Sequence, residues 1–275
     1  MHLQILAMIA PAAFVLGVLP AAPARAQAAA TEDDNARDNA QQSAAVEYDQ
    51  VVKASRSPIR FLPGVVAPAA GGARASALGW GGYDGATKTP LMGATAEARL
   101  TSRLVIGAGA VYAPAAFDMP AAVRPSVVVR LQVLDQAHHG FDLGVAAAYR
   151  EDRFVGEEGF FQGTAAFGLH GERDVLVGNV SYGQDGEGDD FEAELRGAAL
   201  RRFGQHVNLG VDGQLRKSLW STDARGNPSL EYRIGPVVAY GIGPVALTVA
   251  AGVGGVRMAR LESGLVALAG LGFMF

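Results

Sequence analysis

Between residues 190 and 197 charged and apolar side chains alternate without a break: Asp190, Glu192, Glu194 and Arg196 against Phe191, Ala193, Leu195 and Gly197. A period of two puts each set on its own face of an extended strand, whereas a helix would scatter both around its circumference. The pattern returns as Asn208, Asp212, Gln214 and Arg216 against Val207, Leu209, Val211 and Leu215. It returns again as Arg124, Ser126, Arg130 and Gln132 against Val123, Val127, Val129, Leu131 and Val133. Such a chain folds into sheets with one ionic and one apolar face, which sets the class as all-β.

Alternation of this kind covers residues 73 to 84, 90 to 101, 103 to 114, 121 to 135, 140 to 151, 159 to 171, 174 to 184, 189 to 202, 206 to 218, 228 to 241, 244 to 257 and 261 to 275. That predicts about twelve strands in one domain, residues 73–275. Short connections follow the even strands and longer ones, such as 114–120, 151–158 and 218–227, follow the odd strands. Consecutive strands joined this way are antiparallel neighbours. Pro125 and Pro236 fall inside expected strands, where each removes a ladder donor, so a bulge or a strand end is expected at both.

A soluble sandwich would turn its apolar face inward and alternate equally well. Closure decides between the two. A closed sheet of about twelve strands encloses more space than side chains fill, and the Ala- and Gly-rich apolar faces would leave it emptier still. Turning the ionic face inward avoids the void. Phe141 and Tyr149, and likewise Tyr232 and Tyr240, lie eight residues apart on apolar faces. At ~3.3 Å per residue and a tilt of ~40° that spacing is roughly 20 Å, close to the apolar band of a membrane barrel with its aromatic girdles. The expected fold is an antiparallel up-and-down transmembrane β-barrel. No apolar run after the amino terminus approaches the ~20 residues of a membrane helix.

The last strand carries a resemblance. Counting back from the carboxyl terminus, Phe275, Phe273, Leu271, Ala269, Ala267 and Leu265 share one face, with Gly270 on the other. Gly270, Phe273 and Phe275 stand at the offsets of the closing signal of bacterial outer-membrane β-barrel proteins, with Leu268 where that signal has a polar residue. The chain therefore resembles that group, porin-like in size. The resemblance implies a bacterial outer-membrane location, with outer-membrane lipids and the barrel assembly machinery as partners. In architecture it is also similar to the translocator unit of autotransporters, although the stretch before the barrel is too short for a passenger domain.

Ahead of the barrel, an apolar segment from Ile5 to Leu19 followed by Ala24, Arg25 and Ala26 reads as a signal peptide, residues 1–26. Residues 27–72 are polar and Ala-rich. Ala40, Ala44, Tyr48 and Val52 recur every four residues, as in a short helix, and Pro58 and Pro63 stop it. A solvated tail and a helix lying in the lumen fit this stretch equally well.

The predicted inward set is Glu97, Arg99, Arg124, Arg130, Asp142, Arg150, Glu192, Glu194, Arg196, Asp212, Arg216, Glu231 and Arg233. It mixes signs, as a pore for small polar solutes would, but charges paired across strands 8 to 10 would equally fill the lumen. The inward face of the last strand, Val266, Leu268, Gly270, Gly272 and Met274, is apolar for a wet lumen, so packing of an apolar segment against it is expected. The leading function is a passive porin-like channel, the next a structural or assembly-related barrel with a plugged lumen.

An outer-membrane lipid hydrolase, with Ser and His at the lipid-facing outer rim, comes third, because His138, His139, His170 and His206 fall at short turns, where solvated surface residues are expected. No enzyme, cofactor or metal is expected. The acidic run Asp185, Glu187, Asp189 and Asp190 reads as a solvated loop tip rather than a calcium site. A net charge of −4 without a basic stripe argues against nucleic acid, and the absence of Cys excludes disulfides and thiolate chemistry.

Overall fold

A computed structural model describes residues 62, 65–68, 73–113, 121–150, 159–185, 191–220, 230–257 and 261–275. They form β1 (Ala75–Asp84), β2 (Thr89–Arg99), β3 (Leu104–Ala113), β4 (Ala122–Leu134), a one-turn helix α1 (Gln136–His139), β5 (Asp142–Arg150), β6 (Phe160–His170), β7 (Asp174–Asp185), β8 (Phe191–Phe203), β9 (Val207–Trp220), β10 (Leu230–Ile242), β11 (Val245–Arg257) and β12 (Leu261–Met274). Each strand pairs with its sequence neighbours, and β1 pairs with β12, so the twelve strands close into a barrel without a free edge. The chain ends inside the closure: the Phe275 carbonyl accepts from Arg74 N at 2.9 Å, and Phe275 N donates to the Ala75 carbonyl at 2.9 Å.

The polarity is inside-out. Val123, Val127, Val129, Leu131, Leu195, Leu209, Val211 and Leu215 are exposed on the outer surface, whereas Arg124, Arg130, Asp142, Asp212 and Arg216 are buried. Aromatic rings gather at both ends of the outer face. Phe141 lies 5.5 Å from Phe167, and His206 6.0 Å from Tyr240, at the short-turn end; Tyr149 pairs with Phe161 at 5.2 Å, and Tyr182 stacks on Phe191 at 6.1 Å, at the long-loop end. In water this surface would be a continuous apolar liability; in a bilayer it is matched to the lipid tails between two interfaces.

Neither proline carries the expected bulge or strand end. Pro125 lies inside an unbroken β4, paired with Ala110 of β3, and pairing with β5 begins only at Ser126, so no ladder bond is needed from it on that side. At Pro236 the pairing with β11 lapses between Ile234–Val253 and Val237–Ala250 while the register is kept. The shift in β4 sits between Gln132 and Leu134, beside the turn holding α1. That turn is built by Asp135, whose carboxylate accepts from His138 N at 3.0 Å, and by Gly140 at φ 81, a left-handed position that glycine occupies without a Cβ penalty. The signal peptide, the candidate helix around Ala40 to Val52 and the acidic run after Asp185 lie outside the described residues.

Candidate functional site in the lumen

Inward positions on one strand sit beside inward positions on the next, so the charges chosen from alternation meet across the ladder. Glu192 of β8 is the best connected: its Oε2 accepts from Arg216 Nε at 2.8 Å and from Arg150 NH2 at 3.1 Å. Arg150 comes from β5, so this pair bridges strands that are not neighbours; its guanidinium also lies 5.2 Å from the centre of the buried Phe160 ring. Arg216 NH1 lies 3.6 Å from Glu231 of β10. Arg233 meets Asp212 at 2.8 Å, and Arg196 reaches both Glu194, at 3.1 Å, and Gln214.

On the opposite wall Arg130 NH2 meets Glu97 at 2.8 Å, although β3 lies between them. Gly107 makes this contact practicable. It is the inward β3 residue paired with Glu97, and a Cβ there would come within 2.9 Å of Val128 and 3.2 Å of the Glu97 side chain. Arg99 and Arg124 also fall on the inner face, Arg99 at the turn end of β2 and Arg124 towards the loops. The predicted inward set counts seven arginines against six carboxylates.

At the short-turn end Asp142, buried in the lumen wall, accepts from Gln132 Nε2 at 3.2 Å and Gln136 N at 2.9 Å, and lies 3.3 Å from His170 Nδ1. His170 was expected to be a solvated turn residue; instead it ends β6 on the inner face, because the strand runs to residue 170 in inward register. The remaining wall is apolar. Leu78 and Ala246 pack together with Trp80 and Met274, where β1, β11 and β12 meet.

A short stretch ahead of the barrel lies inside it. Leu62 is buried against Val175, Val177, Ala198, Leu200 and Val237, residues of β7, β8 and β10. Val66 N donates to Asn179 Oδ1 at 2.9 Å while the Val66 carbonyl accepts from Asn179 Nδ2 at 2.8 Å, and the Ala67 carbonyl accepts from Arg130 NH1 at 2.5 Å. Pro68 rests in a notch between Gly144 and Gly168, where a Cβ would lie 2.6 Å and 2.7 Å from it. Most of these partners lie in the halves of their strands nearest the short turns, so the stretch occupies that half of the lumen. Above it a cavity of about 290 Å³ is lined by Arg130, Arg150, Arg196, Arg216, Glu97 and Glu194, by amides and hydroxyls, and on the other side by Leu78 and Trp80.

Alternation by itself gave no sign of Asn179, Trp80 or residues 62 and 65–68. Asn179 sits between Val177 and Ser181 on the inner face of β7, where a lone amide carries no pattern of its own. The signal for Trp80 was its shared face with Ser76 and Leu78. Among the described residues no group of three or more His, Asp or Glu converges as a metal would require.

An antiparallel barrel closed on itself, apolar outside, ionic inside and ringed by aromatics at both rims defines a transmembrane β-barrel of the bacterial outer-membrane type. No protein-family model matches the chain, and no curated protein matches its sequence. Among solved structures it is similar to the NanC porin, with TM-score 0.51 and 10% identity over 72% of this chain and 98% of the porin. It is similar also to an outer membrane channel from Pseudomonas putida F1, with TM-score 0.51 and 12% identity over 74% of this chain and 96% of the channel. At such identities the likeness is one of fold.

Proposed function

We propose that the chain is a passive, porin-like channel for small polar solutes in the bacterial outer membrane, with the lipids of that membrane and the barrel assembly machinery as its partners. The observation that carries this reading is the cavity of about 290 Å³ inside a membrane barrel, with charged side chains on one side and an apolar wall on the other. Its size is near the lower end of small-ligand sites, roughly 300 Å³ and upward. Four arginines and two glutamates line the cavity itself, but guanidiniums and carboxylates nearly balance over the whole inward set, so the lumen favours neutral and zwitterionic solutes over ions of one sign. Solute uptake measured by swelling of liposomes containing the folded full-length protein tests this. Swelling that falls with solute mass is expected, and folded protein that admits no solute would contradict it.

The second reading, a structural barrel with a plugged lumen, is favoured by residues 62 and 65–68 and by the ion pairs that cross the interior. We infer no enzymatic role. Lipid hydrolysis needs a nucleophile and a base together at the outer rim. His138, His139, His170 and His206, the only histidines after His2, all sit at or beside the short turns.

A further inference from the structure

We propose that Asn179 and Arg130 form a backbone-binding latch inside the lumen, and that residues 65–68 are its own displaceable occupant, a strap that gates the channel. The inference rests on the channel reading above and adds its regulation. Asn179 exchanges two hydrogen bonds with one residue, Val66, taking its N–H and giving to its carbonyl. That is the exchange a hydrogen-bonded residue pair makes in an antiparallel ladder. A third contact, from Asn179 Nδ2 to the Gly178 carbonyl at 3.0 Å, fixes which way the amide faces. Arg130 adds a charge-assisted bond to the next carbonyl along, at Ala67, while its other nitrogen holds Glu97.

The wall is shaped for the strap as well as bonded to it. Gly144 and Gly168 leave out the side chains that would strike Pro68. Yet residues 65–68 join no strand ladder, and Val65, Val66, Asn179 and Arg130 all line the cavity. Solute and water in the cavity therefore reach the latch directly and compete for the same donors and acceptors. A segment bonded at two successive residues and seated in a glycine notch, but outside the sheet, can leave without unpairing a strand.

The test uses the full-length protein, which has no cysteine of its own. Ala67, buried in the strap, becomes the reporter as Ala67→Cys in folded protein reconstituted in vesicles, exposed to a membrane-impermeant maleimide. Labelling is expected to be at least tenfold faster when Asn179→Ala or, independently, Gly144→Ala is added, and channel conductance is expected to rise in the same variants. Heat-modifiable migration verifies that each barrel is folded. Labelling unchanged in both folded variants overturns the latch. Faster labelling with no conductance in any variant keeps the latch and overturns the channel reading, so the two failures are distinct.

Discussion

Glu192 holds one carboxylate oxygen between the guanidiniums of Arg150 and Arg216, in a part of the lumen where all three side chains are largely shielded. Removing it leaves two cations facing each other without their shared anion. Breaking a buried pair from one side costs about 3–5 kcal/mol. Glu192→Ala is therefore expected to lower the unfolding free energy by about 3 kcal/mol in a urea titration in lipid vesicles, and a loss below about 1 kcal/mol would show that water already screens the cluster. Asp135 illustrates a different balance, in the turn outside the membrane span. Its slight burial raises the carboxyl pKa, but bonds from the His138 side chain and backbone N–H, with the charges of His138 and His139, outweigh that and hold it below the ordinary value. A group whose folded pKa is lowered contributes stability above its unfolded pKa and loses it as pH falls through the folded value. NMR titration should find Asp135 below the usual carboxylate range and His138→Ala should move it back up. The charges themselves were legible, since period two assigns each to a face. Their partners were not, because Arg150 to Glu192 depends on how the barrel brings β5 towards β8.

At the scale of elements, β8 shows how far alternation reaches. Leu195 is 52% exposed on the outer face, between the inward Glu194 and Arg196. Arginine on the lipid face near the bilayer midplane costs about 2–4 kcal/mol. Leu195→Arg should therefore destabilise the refolded barrel by that amount, whereas Gln214→Ala, at the register partner of Arg196 on the inner face, should cost less than about 1.5 kcal/mol, the net worth of one hydrogen bond. Equal costs at the two positions would contradict the inside-out polarity. Strand number and order were readable because each strand and each short turn is a local signal. Pro125 and Pro236 misled because a proline's cost depends on whether its neighbour needs the missing donor, which only pairing reveals. The strap was unreadable for a related reason: residues 62 and 65–68 carry no periodicity, and their seat is made by residues far along the chain, 113 positions away for Val66 and Asn179 and 175 for Leu62 and Val237.

The whole molecule couples closure to content. Pairing of β1 with β12 removes the sheet's edges, and the terminal Phe275 contributes backbone bonds to that seam while its ring stays on the outer face. Deleting Phe275 should reduce folded protein in the outer membrane several-fold, read by heat-modifiable migration of membrane fractions. The interior is divided between an ionic wall and an apolar one, and a peptide strap crosses its short-turn half, so the resting conduit should be narrow and its ion preference weak. Single-channel recording of the purified full-length protein in planar bilayers under a salt gradient tests this most directly. Small discrete current steps with a reversal potential near zero are the predicted result. Folded, inserted protein that never conducts would contradict a channel, and strong selectivity for one sign of ion would contradict the balanced lumen.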